Sequence, residues 1–270
     1  MEYQAFAVFG GDGDDLTFSH TVLIATDMGN ALYGRMACRE NNIDPNLVAS
    51  ALAVIPPAHI YPEYAEDFTK APVALNVNTF FIKRPSYICY GEENEQGNIA
   101  KLLLEEAKVY ERLTKEPHPN ITKYHGCVVR DGRIVGLALK RYHRTLLERM
   151  RNSEGQLNGI ICLKYMEGIK AGVDHIHSLG LAHNDLNPSN IMFAKGDDTP
   201  VIIDFDACRP ENAALAKGGT PGWSEGTLEK STRDNDSRML ALIQRYLDLI
   251  MIGVPIESLN DIAWQKHYGV

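Results

Sequence analysis

No glycine occurs from Arg35 through Tyr90, so that stretch holds no loop in which glycine backbone could close over a phosphate. The chain also lacks any pair of cysteines spaced for a metal finger. Its five cysteines (Cys38, Cys89, Cys127, Cys162 and Cys208) are scattered, as expected of free thiols in a reducing compartment. Basic charge is in deficit: 27 Lys and Arg stand against 35 Asp and Glu, for a formal net charge of −8. That balance argues against a nucleic-acid partner, because binding to a phosphate backbone is driven by clustered Lys and Arg. Long apolar runs are missing too. The most apolar stretch, residues 239–256, is interrupted by Gln244, Arg245, Asp248, Gly253 and Pro255 and falls short of a membrane span. Residues 1–15 are acidic, with no basic region leading into an apolar one, so they do not read as a signal peptide. A cytoplasmic or nuclear protein with no membrane contact is expected.

What is present is an ordinary globular composition, 44% hydrophobic and 23% charged, over 270 residues. That length accommodates one large domain or two lobes around a cleft. Residues 1–53 alternate Gly/Asp-rich stretches with apolar runs and read as an extension whose fold the pattern leaves open. Pro56, Pro57, Pro62 and Pro72 exclude a continuous helix or central strand over residues 54–72. Residues 73–83 read as a strand ending in Phe80-Phe81-Ile82-Lys83 and stopped by Pro85. Over residues 99–113, Leu102, Leu103, Ala107, Val109, Tyr110 and Leu113 give an apolar face at helical spacing. Two short strands, residues 121–127 and 133–139, are joined by a turn at Asp131-Gly132. Residues 162–178 read as a helix capped by Gly180, and residues 191–193 and 201–203 as strands.

The chemistry is concentrated in His183-Asn184-Asp185-Leu186-Asn187-Pro188-Ser189-Asn190 and, farther on, Asp204-Phe205-Asp206. Each block borders a short apolar strand, which directs two acids and an amide to one place. Transfer of a γ-phosphoryl group needs divalent ions bridging phosphates, and magnesium prefers carboxylate and amide oxygens. Asn190 and Asp204 supply such oxygens. Asp185 suits the orientation and deprotonation of an acceptor hydroxyl.

These blocks resemble the catalytic and metal-binding loops of eukaryotic protein kinases. His118-Pro119-Asn120-Ile121 before Tyr124-His125-Gly126-Cys127, and Val173-Asp174-His175-Ile176-His177 leading to His183, are similar to the same family, over residues 75–250. Phe81-Ile82-Lys83-Arg84-Pro85, the catalytic block and Gly219-Thr220-Pro221-Gly222-Trp223 together resemble a divergent fungal protein-kinase-like group. The resemblance implies an α+β, bilobal protein-kinase-like fold. Its reduced N-terminal lobe, mostly β plus one helix, would span residues 54–142, and a shortened, mostly helical C-terminal lobe residues 143–270. It implies ATP and Mg2+ as cofactors, with Asp185 and Asn190 catalytic and Asn190, Asp204 and Asp206 toward the metal. Lys83 would pair the nucleotide α and β phosphates, with Glu106 as its ionic partner and Glu105 the alternative. His183, Phe205 and Tyr110 would stack, Thr220 would approach Asp185, and Asp236 would anchor the catalytic loop or cap a helix.

Several positions depart from the family pattern. The glycine-rich loop is missing ahead of Lys83, where the nearest glycines are Gly29 and Gly34; Gly10-Gly11-Asp12-Gly13 lies farther off, among acids. Asn184 stands where many protein kinases carry the Arg that meets a phosphorylated activation loop, and residues 207–219 contain no Ser, Thr or Tyr. Asn187 replaces a lysine. Asp206 replaces a glycine, as in aminoglycoside and choline phosphotransferases. The sequence also ends soon after Trp223, short of the helices that support peptide docking. The leading expectation is an ATP- and magnesium-dependent kinase acting on Ser or Thr hydroxyls of a protein substrate. The alternatives are a small-molecule phosphotransferase with a hydroxyl or amine acceptor, and a pseudokinase acting as a binding module.

Overall fold

The computed structural model describes residues 2–10, 17–27, 30–88, 90, 98–151, 157–215, 219–220, 223 and 228–254. Cys89, Gly11 to Gly13, Pro221, Gly222 and everything from Pro255 onward lie outside them. The chain forms two compact units, each assembled from three stretches. The first comprises Met1–Asp67, Lys83–Glu105 and Cys127–Leu137; the second comprises Phe68–Ile82, Glu106–Gly126 and Ala138–Val270.

In the first unit, β1 (Tyr3–Gly10), β2 (Thr17–Asp27) and β3 (Asn30–Met36) form an antiparallel sheet. Helix α1 (Pro45–Ala51) follows, then β4 (Ala53–Val54), which closes the sheet in the order β1-β2-β3-β4. Residues 1–53, whose pattern alone left the fold open, thus supply most of this sheet. Val22 and Leu23 of β2 are fully buried. Asp44 caps α1 by accepting from the Asn46 N–H at 2.9 Å, and Pro45 fills the first helical position, where no donor is needed. The end of α1 lies so close to β3 that a Cβ on Gly34 would sit 2.3 Å from the Ala51 carbonyl oxygen. Helix α2 (Pro57–Ile60) is a single turn, as the prolines require. Ile60 joins Ala31, Ile55 and Ile99 in a small core. Tyr33, Tyr61, Tyr87 and Tyr90 pack against it, with Tyr61 and Tyr87 sharing a 2.8 Å hydroxyl bond.

The strand expected over residues 73–83 is shorter: β5 is Phe80–Lys83. Asn76 is the reason. Its side chain accepts from the Asn78 N–H and its carbonyl from the N–H groups of Thr79 and Phe80, all at 2.9 Å, which turns the backbone before a strand can start. Helix α3 (Asn98–Lys115) matches the expected apolar face. Strands β6 (Tyr124–Arg130) and β7 (Arg133–Lys140) meet at Asp131 and Gly132, whose φ values of 49° and 72° make the primed turn such a hairpin favours. These strands form a sheet in the order β5-β7-β6.

The rest of the second unit is helical with short strand pairs. After β8 (Arg144–Thr145) and α4 (Leu146–Arg151), the long α5 (Gly159–Ser178) starts at an Asn158 cap. Strands β9 (Leu181–Ala182), β10 (Ile191–Phe193), β11 (Val201–Ile202) and β12 (Arg209–Pro210) pair as β11-β10-β8 and β12-β9. Helix α6 (Arg233–Met251) begins at a Thr232 cap. Two glycines let α5 approach β11 closely. A Cβ on Gly168 would meet Pro200 Cγ at 2.7 Å, and one on Gly172 would meet Ile202 Cδ1 at 2.9 Å. Ile169, Val173, Ile176, Phe193, Ile202 and Leu247 fill the core beneath. No described helix is long and apolar enough to cross a membrane, and none of the described cysteines forms a disulfide.

Candidate active site

The catalytic block is a loop held from below by one carboxylate. Asp236, fully buried in the first turn of α6, accepts from the backbone N–H groups of His183 at 2.9 Å and Asn184 at 2.7 Å, and from His177 Nε2 at 2.7 Å. Asp236 is therefore the loop anchor, and the helix cap is Thr232. His183 donates through Nε2 to the Ile203 carbonyl at 3.0 Å and accepts through Nδ1 from the Asp185 N–H at 3.3 Å, which fixes its tautomer. Its ring stands edge-on to Phe205, and Phe205 edge-on to Tyr110, at centroid separations of 5.0 and 5.4 Å. The expected stack of three rings is present.

Within the loop the polar groups leave little slack. Asp185 is 5% exposed. Its Oδ1 accepts from both the backbone N–H and the hydroxyl of Thr220, each at 2.7 Å, while Oδ2 accepts from Asn190 Nδ2 at 3.1 Å. Asn190 Nδ2 also donates to the Asp185 carbonyl at 2.8 Å. With its nitrogen committed twice to Asp185, the Asn190 amide turns its oxygen the other way. Asn187, where a lysine was expected of the family, caps the single 3-10 turn Pro188–Asn190 by accepting from the Ser189 N–H at 2.9 Å. Its Nδ2 reaches the Asp185 carbonyl and the Thr220 hydroxyl, both at 3.2 Å.

The metal-loop block is tied to this loop through backbone, since Ile203 N–H donates to the Asn190 carbonyl at 2.9 Å. Asp204 follows in a left-handed conformation, φ 62°, which is uncommon for a non-glycine residue and is a strain associated with functional loops. The turn closes behind it, where Arg209 donates to the carbonyls of Asp206 and Cys208 at 2.9 and 2.7 Å. Burial holds the Tyr110 phenol well above its ordinary pKa, and the negative charges of Glu106, Asp204 and Asp206 push it the same way. Three carboxylates thus lie in electrostatic reach of one buried hydroxyl. Glu106 is itself 3% exposed, on α3. Lys83 ends β5 in the first unit.

The donor set fits a hard divalent cation. Among the described residues no group of three or more His, Cys, Asp or Glu is arranged to hold a metal alone. One amide oxygen and one or two carboxylates, completed by phosphate oxygens and water, is instead the usual protein share of a magnesium site. What sequence reading missed is the environment of Asn184, whose amide meets Ser231 and Asn235. Both lie at the start of α6, where Ser and Asn ordinarily signal a cap.

Residues 88–224, half of the chain, match the family described as protein kinase domain. Similar proteins include serine/threonine-protein kinase/endoribonuclease IRE2 of Homo sapiens, 30% identical over 117 residues, 39% of this chain and 12% of that protein. Smooth-muscle myosin light chain kinase of Gallus gallus is 41% identical over 80 residues, 28% of this chain and 4% of that protein. Serine/threonine-protein kinase PknG of Mycolicibacterium smegmatis is 32% identical over 115 residues, 41% of this chain and 15% of that protein. The chain thus spans a small part of each relative's length. Its α+β make-up, sheet-rich early and helical later, is that of a reduced kinase fold. The chain belongs to the protein kinase domain family.

Proposed function

We propose that the chain is an ATP- and magnesium-dependent phosphotransferase of protein-kinase type, which moves a γ-phosphoryl group to Ser or Thr hydroxyls of a protein. The observation that carries this reading is the unequal company of the two Asp185 oxygens. Oδ1 is taken by two donors from Thr220. Among the described residues Oδ2 has one donor, Asn190, and keeps acceptor capacity for the incoming hydroxyl. As the acceptor oxygen bonds to phosphorus, its proton passes to Asp185 Oδ2 and the bond to the β-phosphate oxygen breaks, with the electron pair leaving on the nucleoside diphosphate. Asn190 Oδ1, Asp204 and Asp206 are the groups for the cation, and Lys83 and Glu106 keep the nucleotide-binding roles that the resemblance gives them. When bound, a divalent cation would supply positive charge to offset that of the phosphates.

A protein acceptor is favoured over a small molecule by the wall beside Asp185. Thr220 bonds Asp185 directly, Trp223 N–H donates to the Thr220 carbonyl at 3.0 Å, and the Trp223 ring packs on Tyr246 at 4.7 Å. Thr220 and Trp223 thereby offer an acceptor platform beside Asp185. A thermal-shift titration with a non-hydrolysable ATP analogue tests the nucleotide half. Magnesium and analogue together should raise Tm, by about 2.7 kcal/mol of stability at one hundred times Kd, and Asp204→Asn should remove the magnesium-dependent part. No shift at saturating nucleotide would sink the reading in favour of a binding module. Faster transfer to aminoglycosides or choline than to protein hydroxyls would overturn the acceptor class.

A further inference from the structure

We infer that Ser231 and Asn235 are positioning residues for this site: through Asn184 they hold the catalytic loop and the chain leaving the metal loop in working register, with no phosphate on the protein. The inference rests on the phosphotransferase reading for its effect on rate, and on geometry for its existence.

Asn184 is fully buried and left-handed, φ 65°. Its Nδ2 hydrogens are spread over three acceptors: the Ala182 carbonyl at 2.8 Å, the Ser231 hydroxyl at 3.0 Å and the Ala207 carbonyl at 3.1 Å. Its Oδ1 accepts from Asn235 Nδ2 at 3.0 Å. Asn235 Nδ2 also donates to the Lys230 carbonyl at 2.9 Å, and the Ser231 hydroxyl donates to the Arg209 carbonyl at 3.0 Å. One short side chain therefore joins the catalytic loop, the chain after the metal loop and the start of α6, and Ser231 extends the tie to β12. Backbone bonds extend the seam. Asn212 N–H donates to the Ser231 carbonyl at 2.8 Å, Ser231 N–H to Ala213 at 2.9 Å, and Leu215 N–H to Glu229 at 3.0 Å.

This arrangement occupies the place from which an arginine would reach outward to a phosphate. An asparagine has neither the length nor the charge for that, and its donors and acceptor are already engaged indoors. Residues 207–219 offer no Ser, Thr or Tyr to modify. A buried, fully bonded neutral network is a rigid one, because each unmet group would be costly away from water. It can therefore supply the order that an ion pair with phosphate supplies elsewhere.

The test compares the whole chain, with and without phosphatase treatment, against Ser231→Ala and Asn235→Ala. Steady-state kinetics on a generic protein substrate are read together with amide hydrogen exchange. Phosphatase treatment should leave the rate unchanged. Each substitution should lower kcat roughly 10- to 100-fold, as displaced catalytic groups do, with KM for ATP within about twofold. Exchange at residues 207–215 should quicken at least about tenfold. Ser231→Ala removes one hydroxyl and is the variant of choice if Asn235→Ala does not fold. Loss of rate on phosphatase treatment, or unchanged exchange in Ser231→Ala, overturns the inference. If the untreated chain transfers nothing, the phosphotransferase reading fails while exchange still decides the network. If transfer occurs and both variants match the parent, the network fails and the reading stands.

Discussion

Asp185 shows how much a few neighbouring atoms decide. In the role proposed for it, taking a proton in a crowded loop, this carboxylate needs one oxygen fixed and the other accessible. Thr220 fixes Oδ1 through its backbone and its hydroxyl, both at 2.7 Å. Hydrogen bonds to a charged group are worth about 1.5–3 kcal/mol, so losing the hydroxyl alone should matter. Thr220→Val, which keeps the shape and the backbone donor, is expected to lower kcat about tenfold. Steady-state kinetics with a protein acceptor check this, and an unchanged kcat would remove the hydroxyl from the account. The roles proposed for Asp185, Asn190 and Asp204 were drawn from the sequence, because phosphoryl transfer demands those atom types in that order. The contacts of Asn184 with Ser231 and Asn235 could not be read there. The partners lie far along the chain, and a Ser-Thr-x-x-Asn run before a helix reads locally as a cap, a role that Thr232 does fill.

At the scale of elements, glycine separates positions that merely turn from positions where two segments touch. Gly132 has φ 72° in the hairpin turn and open space around it, whereas Gly126 has φ 118° and would place a Cβ 2.6 Å from Ala71 N and the Lys70 carbonyl carbon. Gly132→Ala should cost about 1 kcal/mol through backbone conformation alone. Gly126→Ala adds a clash with backbone that cannot rotate away, and overpacking of that kind costs roughly 1–3 kcal/mol more. Urea denaturation of both variants checks the order; equal costs would contradict the close approach of residues 69–71 to β6. Helices α3 and α5 were readable because their apolar faces repeat at helical spacing over many residues. Strand β5 was overestimated because the Asn76 turn depends on a side chain bonding its own backbone, which apolar patterning does not register. The sheet of β1 to β3 escaped because its strands alternate weakly and only β2 has a strongly buried centre.

For the whole molecule, two histidines contribute to the acid side of the stability profile. His118 sits below its ordinary pKa of 6.5 because it is desolvated and faces His175, stacked at 4.9 Å. Its Nδ1 also accepts from the Asn120 N–H at 3.2 Å. His125 is lowered by burial, then by Lys123 and Lys140. With both folded-state values depressed, the unfolded chain binds more protons as pH falls. The stabilisation is thus complete above pH 6.5 and is lost progressively as pH drops through that value toward the folded ones. Thermal melts should show Tm declining below pH 6.5, and His118→Gln should flatten that decline; a parallel decline in the variant would remove His118 from the account. The central claim, that this chain transfers phosphate through Asp185, is tested most directly by incubating it with γ-labelled ATP, magnesium and a generic protein acceptor, beside the near-isosteric Asp185→Asn. The account predicts label on protein Ser or Thr from the parent and a loss of roughly 100- to 10,000-fold in the variant at unchanged circular dichroism. Equal labelling by the two proteins would contradict it.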